Sequence, residues 1–197
     1  MKNTPPSKLI FEPKLLFFSI LCLLGLCLLQ CKNNQNSPLE IQPTNPNDWA
    51  DYLGGPDRNH YSTLTQITPE NVHQLKVAWT YETPKAGQMQ INPVIVDGVL
   101  YGVTSTLQAF ALDAATGEEF WMFGDTINKG YASTSRGVAY WEKGEDKRIL
   151  YTVGPNLWAL DAKTGQPIES FADQGKLDLH TGLPEVAQKK FIISNTP

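Results

Sequence analysis

Cysteine is missing from the last 166 residues of this 197-residue chain; Cys22, Cys27 and Cys31 all lie near its N-terminus. That excludes a disulfide framework or a cysteine-built zinc site in the part that folds. Basic blocks are missing too. The longest are the pairs Lys147-Arg148 and Lys189-Lys190, in a chain of net charge −4. No such surface could neutralise a run of phosphates, which excludes nucleic acid as a partner. Gly-x-Gly-x-x-Gly, Walker and Gly-x-Ser-x-Gly motifs are absent, so the usual loops for dinucleotides, nucleoside triphosphates and a serine nucleophile have no counterpart. The histidines, His60, His73 and His180, have no His-x-x-x-His spacing and read as solvated or capping residues. Disorder is excluded as well: aromatic residues make up 10% of the chain and hydrophobic ones 41%, enough to build a core.

Long apolar runs are confined to one place. Lys2, Lys8 and Lys14 precede Leu15 to Leu29, a stretch with no charge and only Ser19 and Gly25 outside the apolar class. As a helix it would reach about 22 Å, short of the ~30 Å hydrocarbon core, so it reads as an export signal rather than a span. Leu28-Leu29-Gln30-Cys31 followed by a polar stretch resembles a bacterial lipoprotein signal, with Cys31 as the lipidated residue. Gln30 departs from the small residue usual there, and an uncleaved anchor or ordinary cleavage are the alternatives. Each places the body outside the cytoplasm, on the periplasmic side and membrane-anchored where Cys31 is lipidated. The expected organisation is a signal at 1–31, a tether rich in Asn, Pro and Gln at 32–47, and a folded domain at 48–197.

From Asp48 onward, short β-prone stretches alternate with Gly, Asn, Asp and Pro. Lys76–Tyr81, Pro93–Val96, Val99–Thr104 and Gln108–Leu112 read as strands, with Asp97-Gly98 as a hairpin turn. One helical turn is expected at Thr68–Val72, with Thr68 capping. The chain also repeats. Val99 to Trp121 matches Ile149 to Glu169, and Ala111, Leu112, Asp113, Ala114, Thr116 and Gly117 recur 48 residues later as Ala159, Leu160, Asp161, Ala162, Thr164 and Gly165. A period of 40–50 residues carrying several strands is the sign of β-propeller blades; a hairpin repeat in a sandwich is the plainer alternative. Each Asp-x-x-Thr-Gly would turn between a third and an outermost strand.

The stretch Ala111-x-Asp113-x-x-Thr116-Gly117-x-x-x-Trp121 resembles the tryptophan-docking motif of pyrroloquinoline quinone (PQQ) dehydrogenases. The second copy has Glu169 where the first has Trp121. Asp48–Ile67, Asn71–Trp79, Gln90-Ile91-Asn92-Pro93 and Arg136-Gly137-Val138-Ala139-Tyr140-Trp141 resemble further segments of that family, in the same order. The resemblance implies an all-β fold: the first two to three blades of an eight-bladed propeller, hence the N-terminal portion of a longer enzyme.

What the resemblance implies for function is oxidation of a sugar or polyol by hydride transfer to PQQ, with electrons passed to a respiratory quinone or cytochrome. A Ca²⁺ ion would polarise the quinone, its ligands and the catalytic base being expected beyond residue 197. The implied cofactor contacts are Arg136, whose guanidinium suits a carboxylate or quinone oxygen, then Gln90, Tyr131 and Ser194. Gly130 and Tyr131 stand where the alcohol-oxidising branch has adjacent cysteines, which favours the sugar and polyol branch. No histidine precedes Arg136 in residues 131–135, a departure from many sugar-oxidising relatives. The rival readings are a non-catalytic propeller lipoprotein that assists outer-membrane protein assembly, and an inactive truncated remnant whose ring cannot close.

Overall fold

The computed structural model describes residues 45, 47–55, 57–124 and 135–188; the sequence readings on 1–31 and most of 32–47 therefore lie outside the described residues. Two four-stranded antiparallel sheets make up the fold. The first runs β1 (Val94–Val96), β2 (Val99–Val103), β3 (Ala109–Asp113) and β4 (Glu119–Phe123); the second runs β5 (Ala139–Lys143), β6 (Asp146–Val153), β7 (Asn156–Asp161) and β8 (Lys176–Asp178). Within each sheet the strands neighbour one another in chain order. That meander is the blade of a propeller, and it repeats where the sequence does.

Local chemistry sets these elements. Val96 pairs with Val99 across Asp97 and Gly98, both at positive φ (50° and 77°). This is the two-residue turn whose twist matches a hairpin. In the second blade the glycines Gly144 and Gly154, also at positive φ, open two-residue turns. The repeat leaves equivalent side chains buried: Tyr101 and Tyr151, Val103 and Val153, Ala111 and Ala159, Leu112 and Leu160.

Both Asp-x-x-Thr-Gly stretches form the same turn. Asp113 Oδ1 accepts from the N–H groups of Ala115 and Thr116 and from the Thr116 hydroxyl at 2.7–3.0 Å, and Asp161 repeats this with Lys163 and Thr164. These bonds, led by the Thr116 N–H, hold the Asp113 carboxyl below its ordinary pKa. The folded state therefore binds that proton more weakly than the unfolded one. The resulting stabilisation is complete above the unfolded value near ~4 and is lost as pH falls through the lower folded one. Asp113→Asn should flatten the acid limb of the stability–pH curve below pH ~4. Chemical denaturation across that range checks it, and an unchanged limb would refute a role for this turn in acid stability.

The blades join through aromatic side chains. Trp121, on β4, is 8% exposed; its indole N–H donates to the carbonyl of Ala162 at 3.0 Å, and its ring lies over Gly165 in the turn of the second blade. Trp79 does the same one blade earlier, donating to the Ala114 carbonyl at 3.2 Å and covering Gly117. Tyr101 reaches Tyr140, and Phe123 reaches Tyr151 and Trp158, across the same junction. Lys147 Nζ also meets Asp97 Oδ2 at 2.8 Å, an exposed pair worth little.

The helical turn expected at Thr68–Val72 does form, the Thr68 carbonyl accepting from the N–H groups of Asn71 and Val72 at 3.1 and 2.9 Å, and it continues into a short 3-10 helix at Val72–Gln74. Two expectations need correction. Lys76–Tyr81 is not a strand: among the described residues nothing pairs with it, and its apolar alternation serves to dock Trp79. The outermost strand of the second blade is split. Pro167-Ile168 pairs beside Ala159-Leu160, residues 169–174 leave the sheet, and β8 resumes beside residues 156–158. Glu169 is exposed at the start of that excursion, so no side chain there takes the place Trp121 has in the first blade.

Candidate functional site

The two sheets converge on the side of β1 and β5. Asn92 and Gly137, just ahead of these strands, form a parallel bridge in which the Asn92 N–H donates to the Arg136 carbonyl at 2.8 Å. A bridge at the chain entries of β1 and β5 makes these strands the inner edges of their sheets, as around a propeller axis. Gln90 lies two residues before Asn92 and Arg136 one residue before Gly137. The structure thus brings the two expected contacts, 46 positions apart in sequence, to the same end of adjacent innermost strands. Tyr131 and Ser194, the other expected contacts, lie outside the described residues.

Arg136 is exposed and Gln90 half-buried. Among the described residues neither side chain has a hydrogen-bond partner, and no carboxylate lies within ion-pair distance of Arg136. A guanidinium with its donors uncommitted is a ready anion contact. The backbone around it is tightly built. Ser135, 6% exposed, accepts from the Gly137 N–H and donates to the Gly137 carbonyl, both at 3.3 Å. Arg136 stands at the apex of that arch.

A strap from the N-terminal segment crosses the same inner edges. Trp49 exchanges two backbone hydrogen bonds with Ile95 of β1 at 2.7 and 3.0 Å, and Asp48 Oδ1 accepts from Asp97 N–H. Further along, Arg58 lies over the Tyr52 ring and donates to its carbonyl at 2.7 Å, beside Val138–Tyr140 at the start of β5. An open groove of about 350 Å³ runs between strap and β1, lined by Trp49, Leu64, Asn92 and Ile95 among others. Among the described residues it offers apolar walls and Asp48 as its one charged group. Among the described residues no cluster of His, Cys, Asp or Glu could hold a metal ion.

Sequence reasoning missed Ser135, Gly137 and Asn92. The only signal was a glycine directly after the arginine; the bridge that gives it meaning joins residues 45 apart.

The sequence model of the family described as "PQQ: Glucose/ethanol/alcohol dehydrogenase, beta-propeller domain" matches residues 49–197. The dehydrogenase subunit of a quinone alcohol dehydrogenase from Gluconobacter oxydans is 37% identical over 164 residues, 76% of this chain and 21% of that protein. A quinoprotein glucose dehydrogenase from Escherichia coli is 33% identical over 168 residues, 74% of this chain and 21% of that protein. Among solved structures, a quinohemoprotein alcohol dehydrogenase from Comamonas testosteroni is 27% identical with a TM-score of 0.58, covering 68% of this chain and 20% of that one. The chain thus spans about a fifth of the length of the curated relatives it matches.

Proposed function

Because the chain belongs to the family of PQQ-dependent dehydrogenase β-propellers, we propose that it forms the N-terminal part of an exported enzyme that oxidises a sugar or polyol. One observation carries the reading: Gln90 and Arg136, uncommitted to other side chains among the described residues, flank the Asn92–Gly137 bridge at the inner ends of adjacent blades. A tri-carboxylated planar quinone suits that donor set. Arg136 would pair with a carboxylate or quinone oxygen, Gln90 would donate its amide hydrogens, and Tyr131 and Ser194 are the further candidate contacts. When bound, PQQ supplies the two-electron acceptor for the hydride leaving the substrate carbon, and Ca²⁺ the Lewis acid. The described residues supply orientation: a fixed cation on one blade and a neutral donor on the next. Sugar or polyol is preferred over simple alcohols because Gly130 and Tyr131 stand where the alcohol-oxidising branch has adjacent cysteines.

The test is reconstitution of the complete apo-enzyme with PQQ and Ca²⁺, following dye reduction driven by sugars, polyols and primary alcohols. Turnover of sugars or polyols that requires PQQ is expected. Activity without PQQ, or with primary alcohols alone, overturns the reading. The electron acceptor is proposed to be a respiratory quinone or cytochrome. Export with lipid attachment at Cys31 completes the proposal, on the strength of the Leu15–Leu29 segment and the polar sequel to Cys31. Labelled fatty acid should enter the wild type and not Cys31→Ala; equal label in both excludes attachment at that residue.

A further inference from the structure

We propose that Gly137 is a positioning residue that fixes the origin of the Arg136 side chain against the neighbouring blade. The proposal rests on the reading of Arg136 as a cofactor contact and adds what holds it in place. At Gly137 φ is +140°, and a Cβ there would lie 2.6 Å from the backbone oxygen of Asn92, with the Asn92 carbonyl carbon and nitrogen at 3.5 and 3.6 Å. The three atoms nearest to it are all backbone, so no side-chain rotation can relieve the 2.6 Å clash. The strand openings would have to separate. The first contact to stretch would be the 2.8 Å hydrogen bond from Asn92 N–H to the Arg136 carbonyl, which is the link that ties Arg136 to the blade carrying Gln90.

The arch itself is preformed. Ser135 is buried and closes a ring of two hydrogen bonds with Gly137, leaving Arg136 at its exposed apex. A side chain that begins from a braced backbone loses less freedom when it grips a ligand, and displacement of about 1 Å degrades a bidentate contact. Gly137 therefore acts through Arg136 and touches no ligand itself.

The experiment titrates the complete apo-protein with PQQ in the presence of Ca²⁺, reading quenching of tryptophan fluorescence rather than turnover. Gly137→Ala should weaken binding about tenfold, a partial loss of a charge-assisted contact. In an Arg136→Ala background the same change should have almost no further effect, since the group it positions is gone. Gly175→Ala is the control for generic damage: φ is +89° and its Cβ would lie 2.5 Å from Pro167, beside the outermost strand. It should lower the thermal midpoint and leave PQQ affinity unchanged.

Gly137→Ala that binds like wild type, that adds its full loss to Arg136→Ala, or that is matched by Gly175→Ala overturns the positioning role. Wild-type affinity in Arg136→Ala alone overturns the premise, and is a separate result. Should Gly137→Ala fail to fold, Ser135→Ala opens the arch without filling space. A loss of about threefold that disappears in the Arg136→Ala background supports the proposal, and no loss overturns it.

Discussion

Trp121→Ala should destabilise the chain by about 3–5 kcal/mol, the usual cost of truncating a buried tryptophan. The indole is 8% exposed, covers Gly165 and spends its N–H on the Ala162 carbonyl. Truncation opens a cavity between the blades and leaves that carbonyl without its donor. Trp121→Phe keeps most of the apolar area and should lose only the hydrogen bond, about 1–2 kcal/mol. The opposite wall of the contact gives an independent check. A Cβ on Gly165 would sit 2.5 Å from the indole, at φ +70°, so Gly165→Ala displaces the ring from the other side. The double variant should cost less than the sum of the two, because both remove one contact. Trp79→Ala should cost less than Trp121→Ala, since Trp79 is only half-buried. Urea denaturation of the five variants measures all of this. A loss within ~0.5 kcal/mol of zero for Trp121→Ala, the range of ordinary surface changes, would refute the staple.

The blades were legible because their signals are local. Asp-Gly at 97–98 needs two positive φ values, and Asp113 and Asp161 fold their own following residues into turns. Such features sit within five residues and survive any tertiary context. The failures share the opposite cause. Lys76–Tyr81 alternates like a strand, but pairing depends on a neighbour that its own residues do not encode; what it carries is the long-range contact of Trp79. The second outer strand breaks where Pro167 removes a ladder donor and the chain turns away, with Ala172 and Gln174 at positive φ before β8 resumes. The loss of the tryptophan at Glu169 was visible in the sequence; the excursion that accompanies it was not.

At the site, the resemblance implies both the residues and their place on the inner strands of adjacent blades; the contact that joins those strands is not legible. Chemistry and resemblance point to Arg136 and Gln90, yet nothing in their spacing alone says that the two segments touch. That follows from one parallel bridge between segments that precede two strands. Ser135 and Gly137 escaped for the same reason. A serine and a glycine around an arginine look like a loop until the Asn92 backbone is placed 2.6 Å from where a Cβ would be.

Arg136→Ala should weaken PQQ binding roughly ten- to a hundredfold. A hydrogen bond to a charged group contributes about 1.5–3 kcal/mol against ~1 for a neutral one, and ~1.4 kcal/mol is a decade of affinity. On that arithmetic Gln90→Ala should cost only about fivefold. The ordering distinguishes a cofactor contact from general damage, because Gln90 is the more buried of the two and burial alone would rank them the other way. Arg136→Lys separates charge from shape: a point charge restores attraction but not the two-pronged geometry, so its affinity should fall between wild type and alanine. Raising salt should weaken wild type more than Arg136→Ala, since the exposed guanidinium is the group being screened. At saturating PQQ the substrate KM should change little across the series, as the substrate is expected on the open side of the quinone. Equilibrium titrations of the complete apo-protein with PQQ, at two ionic strengths, supply these comparisons. If Arg136→Ala titrates like wild type, or Gln90→Ala proves the more damaging, the inner edge of these two blades does not grip the cofactor through its arginine.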